Sequence, residues 1–201
     1  MFSVLERTLS ALPQPTHFTE AEYHALQNGS ERKFEYLNGE IVAMVGAKVI
    51  HNRVAGNLFV TLYRLLEGSG CEPFNSDQRI YIPTAQAYLY PDVSVVCGQA
   101  DVMSQGGVEM ILNPTLIIEV LSPSTAQYDR TVKLGLYQQL PSLRAYLMVE
   151  AESPFMEWYE RTALGTWEHH QQRDLHASVP LPIGDLSLPL RDIYKSPTMN
   201  P

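Results

Sequence analysis

The stretch "PTLIIEVLSPST", residues 114–125, limits the fold more than any other part of the chain. Leu116, Ile117, Ile118, Val120 and Leu121 leave no polar face, the pattern of a strand covered on both sides. Pro123 and its hydroxyl-bearing neighbours then mark a turn. Glu119 nevertheless lies inside the apolar run. Left charged and unpartnered in such a strand, it would cost roughly several kcal/mol, so a cation, a hydrogen-bonding group or water must stand beside it. With 201 residues and 45% hydrophobic content, the chain can bury the core that such a strand needs within one domain.

The surrounding sequence supplies the layers. In "FTEAEYHALQNGS", Thr19 is a helix cap, Glu22 stands at capping-box spacing and Gly29 follows the end. "KFEYLNGEIVAMVG" reads as a hairpin turning on Asn38-Gly39. "HNRVAGNLFVTLYRLLEGSG" places Val54, Leu58, Leu62 and Leu65 at helical spacing. From Glu72 to Cys97 the pattern predicts two strands joined around Pro83 to Gln86, then a glycine-rich loop through Gly98, Gly106 and Gly107. Beyond "SPST", Val132, Leu136 and Leu140 predict an amphipathic helix from Ala126 that Pro141 stops. "RAYLMVE" is a further strand, "MEWYERTALGTWEHHQQ" a hairpin, and the proline-rich "VPLPIGDLSLPLRDIY" an edge strand with a docked tail. The order is that of an α/β fold, a mixed sheet packed by helices with additional hairpins. The expected organisation is a leader over 1–17, one domain over 18–195 and a tail over 196–201.

A second acid, Asp92 in "YPDVSVVC", stands at the start of another strand. Two neighbouring strands carrying one acid each can aim Asp92 and Glu119 at a single point. Hard divalent cations such as Mg2+ take a sparse set of carboxylate oxygens, with water and phosphate filling the remaining positions. Metal-assisted hydrolysis is the chemistry that this pair predicts. In the following helix Asp129, Lys133 and Tyr137 are spaced four apart on one face. Spacing alone admits a solvent-facing Asp129–Lys133 ion pair as readily as a lysine that serves the acids.

Charge and cysteine content narrow the class. A net charge of −8 argues against broad attraction to nucleic acid, which rests on Lys and Arg. It leaves room for an acidic site neutralised by a cation. Cys71 and Cys97 are not spaced as a metal-ligand pair and read as buried free thiols. No apolar run approaches the roughly 20 residues of a membrane span, and the N-terminal stretch has no clear cleavage pattern. A cytoplasmic protein is the expectation.

Taken together, "EYLNGE", the His51 that opens the long helix, "PDVSVV", "LIIEVLSPST" and "DRTVKLGLYQQLPSLRAYLMVE" resemble the Uma-type restriction-endonuclease family, a bacterial branch of the PD-(D/E)XK nuclease superfamily. The resemblance covers roughly residues 18 to 195. It implies a restriction-endonuclease-like mixed central sheet between helices, and endonucleolytic hydrolysis of DNA with Mg2+ or Mn2+. By the same resemblance, Asp92 and Glu119 would bind the metal, with the Val120 carbonyl as a third ligand. The superfamily lysine stands two residues after the acid, where this chain has Leu121. The resemblance therefore assigns the catalytic lysine to Lys133. Glu35 is a further carboxylate, either an outer ligand or an exposed hairpin residue. His51 is either a contact to phosphate or attacking water, or a structural histidine. Tyr137 and Gln138 either touch substrate or pack beside the site.

Cutting both strands of DNA takes two active sites, which makes a homodimer the expected assembly. The competing reading is a noncatalytic nuclease-fold binding or regulatory module, favoured by the acidic charge and by Leu121. No zinc-finger spacing, basic helix or aromatic-basic repeat marks a target-reading element.

Overall fold

The structure, a computed structural model, describes residues 17–44, 46–105 and 107–196. The expected leader and tail therefore lie outside the described residues, apart from His17 and Ser196, as does Gly106 of the expected loop. Helix α1, Glu20–Asn28, starts as its local sequence predicts. The Thr19 hydroxyl accepts the Glu22 N–H at 3.2 Å, and the Glu22 carboxylate accepts the Thr19 N–H at 2.7 Å. Strands β1, Phe34–Leu37, and β2, Glu40–Ala43, form the predicted hairpin. Asn38 and Gly39 carry it through φ of 42° and 94°, values that asparagine and glycine adopt most readily.

The region from Cys71 to Ile111 is more finely divided than its sequence suggests. It forms β3, Cys71–Asn75; β4, Arg79–Ile82; β5, Ala87–Leu89; and β6, Val93–Cys97, in place of the two strands expected. The glycine-rich stretch expected as a loop contains a hairpin, β7, Val102–Gln105, and β8, Val108–Ile111. Strands of three to five residues carry too little periodicity to be read singly. The β7–β8 hairpin is held by a distant partner, because β8 pairs in parallel with β4. These hairpins gather into one sheet, in the order β2-β1-β5-β4-β8-β7.

The second sheet carries the acids. Strand β9, Leu116–Leu121, lies between β6 and the parallel strand β10, Ala145–Glu150, and β3 closes one edge. Strands β11, Met156–Arg161, and β12, Trp167–Gln172, complete the other edge as an antiparallel hairpin. The parallel β9–β10 pair demands a crossover. Helix α3 supplies it in three consecutive pieces: Ala126–Tyr128, a π-helical turn over Asp129–Lys133, and Leu134–Tyr137. Helix α2, Val49–Leu65, covers one sheet face, where Val54, Leu58 and Leu62 meet Val93, Leu116 and Ile118. On the opposite face Ile117, Leu121 and Met148 meet Leu136 and Leu140, together with Ile80 and Leu89 of the first sheet. All six residues of β9 are buried, as its continuous apolar run predicts. The α/β class, the mixed sheet between helices and the additional hairpins are as expected.

The C-terminal segment makes its own short hairpin, β13, Ser178–Pro180, and β14, Ser187–Pro189, followed by helix α4, Leu190–Tyr194. Asn57 of α2 ties that end down by donating to the carbonyls of Ile193 and Lys195 at 2.7 and 2.8 Å. Cys71 and Cys97 are not free thiols. Antiparallel pairing of β3 and β6 sets them directly opposite each other, and they form a disulfide. The sequence could not show this, because the pairing joins residues 26 apart. Among the described residues no helix is long and apolar enough to cross a membrane.

Candidate active site

Asp92 and Glu119 both border one cleft, where β6 begins beside β9. The last paired residues are Val93 and Ile118, after which Pro91, having no N–H, cannot extend the ladder as a donor. The Asp92 side chain takes over, its Oδ2 accepting the Val120 N–H at 2.7 Å. His51, in the first turn of α2, brings its Nε2 to 3.4 Å from the same oxygen. The imidazole also meets the backbone of Val120, which raises its pKa, although the bond to Asp92 is the larger cause and burial opposes both. The fold therefore brings Asp92, His51 and Val120 together at one end of the strand carrying Glu119.

Lys133 reaches Glu119 from the other side. Its Nζ lies 3.0 Å from Glu119 Oε1, 2.9 Å from Glu35 Oε1 and 3.7 Å from Asp129 Oδ1. The Lys133 and Asp129 side chains are only 7% and 4% exposed, so the solvent-facing ion pair that the spacing admitted does not form. The reason is the π turn: the Leu134 N–H bonds to the Asp129 carbonyl five residues back, adding a residue to the turn. That rotation leaves Val132 exposed, against the expected apolar face, and turns Asp129, Lys133 and Tyr137 inward. Glu35 is likewise buried on β1, where the Tyr90 N–H donates to it at 3.1 Å, and is no exposed hairpin residue. The Tyr137 hydroxyl donates to Glu119 Oε1 at 3.1 Å. Gln138 turns away from the cleft, its carbonyl taken by Arg161, which also binds the Leu140 and Leu143 carbonyls and so anchors the end of α3.

The cluster is short of positive charge. Glu35, Glu119 and Asp129 surround one ammonium, Lys133, and Asp92 stands beside them with His51 as its partner. Burial drives the Glu119 carboxyl well above the ordinary range. Lys133 pulls it back, while Asp129, Asp92 and Glu35 push it further up. Burial also raises Asp129, partly offset by Lys133 and by a hydrogen bond from Thr125. For Lys133 burial disfavours the charge, but Glu119, Glu35 and Asp129 outweigh it and hold the ammonium protonated. Sequence reasoning missed Asp129 as a member of this cluster, although its four-residue spacing from Lys133 was a visible signal. It also missed Tyr90 and Tyr128, which line the same cleft.

The cleft has a volume of about 670 Å³, and Glu35, His51, Asp92, Glu119, Val120 and Lys133 all border it. Surplus carboxylate oxygen in a partly enclosed cleft suits a hard divalent cation, which keeps several waters and needs one or two protein carboxylates. Among the described residues, however, no three His, Cys, Asp or Glu side chains converge on one ligation point, and Lys133 occupies the space between Glu35 and Glu119. Asp92 and Glu119 are the carboxylates of the cleft that could hold such a cation, with backbone and water oxygens as the further ligands it would need. Leu121 is core.

Comparison with known proteins agrees with this architecture. The sequence model of the Uma2 family, described as "Putative restriction endonuclease", matches residues 20–191. Uncharacterized protein slr1290 of Synechocystis sp. is 38% identical over 146 residues, 73% of this chain and 75% of that protein. Uncharacterized protein sll1609 of the same organism is 34% identical over 149 residues, 74% of this chain and 84% of that protein. The crystal structure of a "putative nuclease belonging to DUF820" from Anabaena variabilis superposes with a TM-score of 0.66 at 18% identity, covering 82% of this chain and 91% of that one. That likeness is one of fold. With a family match that spans most of its length and two relatives above 30% identity, the chain belongs to the Uma2 restriction-endonuclease-like family.

Proposed function

We propose that this protein is a metal-dependent endonuclease of the PD-(D/E)XK type that hydrolyses phosphodiester bonds of DNA. The observation that carries the reading is the Lys133 ammonium, held at 3.0 Å from Glu119 at the end of the strand beside Asp92. Asp92 and Glu119 would hold Mg2+ or Mn2+, with the Val120 carbonyl as a further oxygen. The chemistry such a cation supplies when bound is polarisation of the phosphoryl group and a lowered pKa for its water. Lys133 stabilises the charge that develops on the phosphoryl oxygens, and the buried carboxylates keep it protonated for that task. Glu35 and Tyr137 fix Lys133 and Glu119 in place by direct bonds to the same pair of groups. His51 orients Asp92 and faces the cleft where substrate phosphate would lie. A homodimer would bring two such sites to a duplex.

One observation favours a second reading, a catalytically silent binding module. Lys133 already satisfies three carboxylates that an active centre would offer to a cation. The deciding experiment is calorimetric titration with Mg2+ and Mn2+ beside cleavage assays on plasmid, linear and single-stranded DNA. Cleavage that requires the metal supports the nuclease. Metal binding with no cut product under any condition supports the module, and absence of both removes the nuclease reading.

A further inference from the structure

The walls of the cleft are unlike a surface built for duplex DNA. Glu35, Glu119 and Lys133 are 5%, 4% and 6% exposed, so a phosphate must enter the cleft to reach them. The volume, about 670 Å³, is that of a small-molecule site, roughly 300 to 1,000 Å³, and holds a short piece of one strand rather than two paired strands. Much of the wall is apolar or aromatic, including Val42, Met44, Ala47, Tyr90, Pro123 and Tyr128. Besides Lys133, the lysines bordering the cleft are Lys33 and Lys48, and among the described residues no arginine borders it. Both are engaged: Lys33 Nζ is 2.6 Å from Asp77, and Lys48 Nζ is 3.2 Å from Glu152. Duplex binding draws most of its strength from many Lys and Arg contacts to phosphate, and this cleft offers few. Aromatic faces instead suit exposed bases, which stack on them whatever the sequence.

We infer that the substrate of this cleft is an unpaired DNA strand, with a base stacked on Tyr128 and the adjoining phosphate directed at Lys133. The inference rests on the nuclease reading for its chemistry. Lys133 Nζ sits over the Tyr128 ring, 5.9 Å from its centroid, which sets an aromatic surface directly beside the ammonium. Tyr128 is half-buried, follows the "SPST" turn and borders the cleft. Acting on one strand requires one site per substrate, so the chemistry would not depend on a dimer.

The test is binding of a fluorescently labelled oligodeoxynucleotide, single-stranded and annealed to its complement, measured by anisotropy. The protein is the full-length Glu119→Gln variant in Mg2+, so that cleavage does not consume the probe. The single strand is expected to bind at least ~10-fold tighter than the duplex, and Tyr128→Ala to weaken it by ~10-fold or more. Tyr128→Phe keeps the ring and should keep the affinity. Tyr128→Leu fills the same space without a ring and should not, which guards against misfolding of the alanine variant. With Lys133 as the one phosphate contact and both rim lysines engaged elsewhere, the logarithmic salt slope should be about −0.7. Equal or tighter duplex binding, or single-strand affinity unmoved in both the alanine and leucine variants, overturns the inference. Wild-type cleavage confined to duplex also overturns it while leaving the nuclease reading intact. Tight single-strand binding by the wild-type protein without any cleavage sinks the nuclease reading and leaves single-strand recognition by this cleft standing.

Discussion

Lys133 stands fourteen residues beyond Glu119 in the chain, yet its ammonium lies 3.0 Å from the Glu119 carboxylate. The short turn after β9 and the π turn inside α3 together achieve this. Without the extra residue in that turn, the helix would present a different side chain to β9. The cation beside Glu119 thus comes from the crossover helix, while Leu121, two residues after the acid, packs in the core.

Lys133→Ala should reduce turnover by about 100- to 1000-fold, the usual cost of removing a positioned donor to developing charge. It should also destabilise the metal-free protein by about 3 to 5 kcal/mol, because it leaves buried carboxylates without their cation. Saturating Mg2+ should recover part of that stability by substituting for the ammonium. Lys133→Arg should restore activity only in part, since a planar guanidinium does not reproduce the point charge. Normal cleavage by Lys133→Ala would assign the residue a purely structural role.

Asp92→Asn and Glu119→Gln should each abolish Mg2+-dependent cleavage with the fold intact by circular dichroism. The amide introduced by Asp92→Asn keeps an oxygen to accept the Val120 N–H, and the one introduced by Glu119→Gln keeps the side-chain shape in β9 and an acceptor for the Tyr137 hydroxyl. The principal loss in both variants is therefore charge at the cation site. Wild-type rates in either variant would place any cation elsewhere.

The metal-free protein should lose stability as pH rises above about 4.5, the ordinary glutamate value, to the extent that Glu119 controls it. Burial raises the folded Glu119 pKa, and Lys133 only partly reverses this, so the folded state binds the proton more tightly than the unfolded state. The resulting stabilisation is complete below the unfolded pKa and disappears as pH passes the folded one. Urea midpoints from pH 4 to pH 8 in chelator should therefore fall more steeply for wild type than for Glu119→Gln. The opposite ordering of slopes would show that Lys133 dominates and that Glu119 is depressed.

Reduction of the Cys71–Cys97 disulfide should cost about 3.5 kcal/mol, the value expected for closing a loop of this length in the unfolded chain. Urea denaturation with and without reductant measures it, and thiol titration of the denatured, unreduced protein should find no free sulfhydryl. Because β3 lies at the sheet edge remote from Lys133, the reduced protein should retain its site geometry and cleavage rate. Two free thiols in the unreduced protein would restore the original reading of these cysteines.

The amino-acid sequence alone determined what depends on neighbours in the chain. Thr19 and Glu22 close their capping box within one turn, Asn38-Gly39 turns its hairpin through backbone preference, and the apolar run of β9 requires cover on both faces wherever it sits. The acids themselves were legible as well, because a carboxylate in a buried strand is costly enough to stand out. Tertiary structure decided what depends on pairing between distant segments. The β7–β8 hairpin exists because β8 finds β4, and the disulfide exists because β3 finds β6. Glu35 meets Lys133 because two sheets enclose α3. The burial of Lys133 turns on one added residue in a helical turn, which side-chain periodicity does not reveal, since the same spacing serves a solvent face and a buried site equally well.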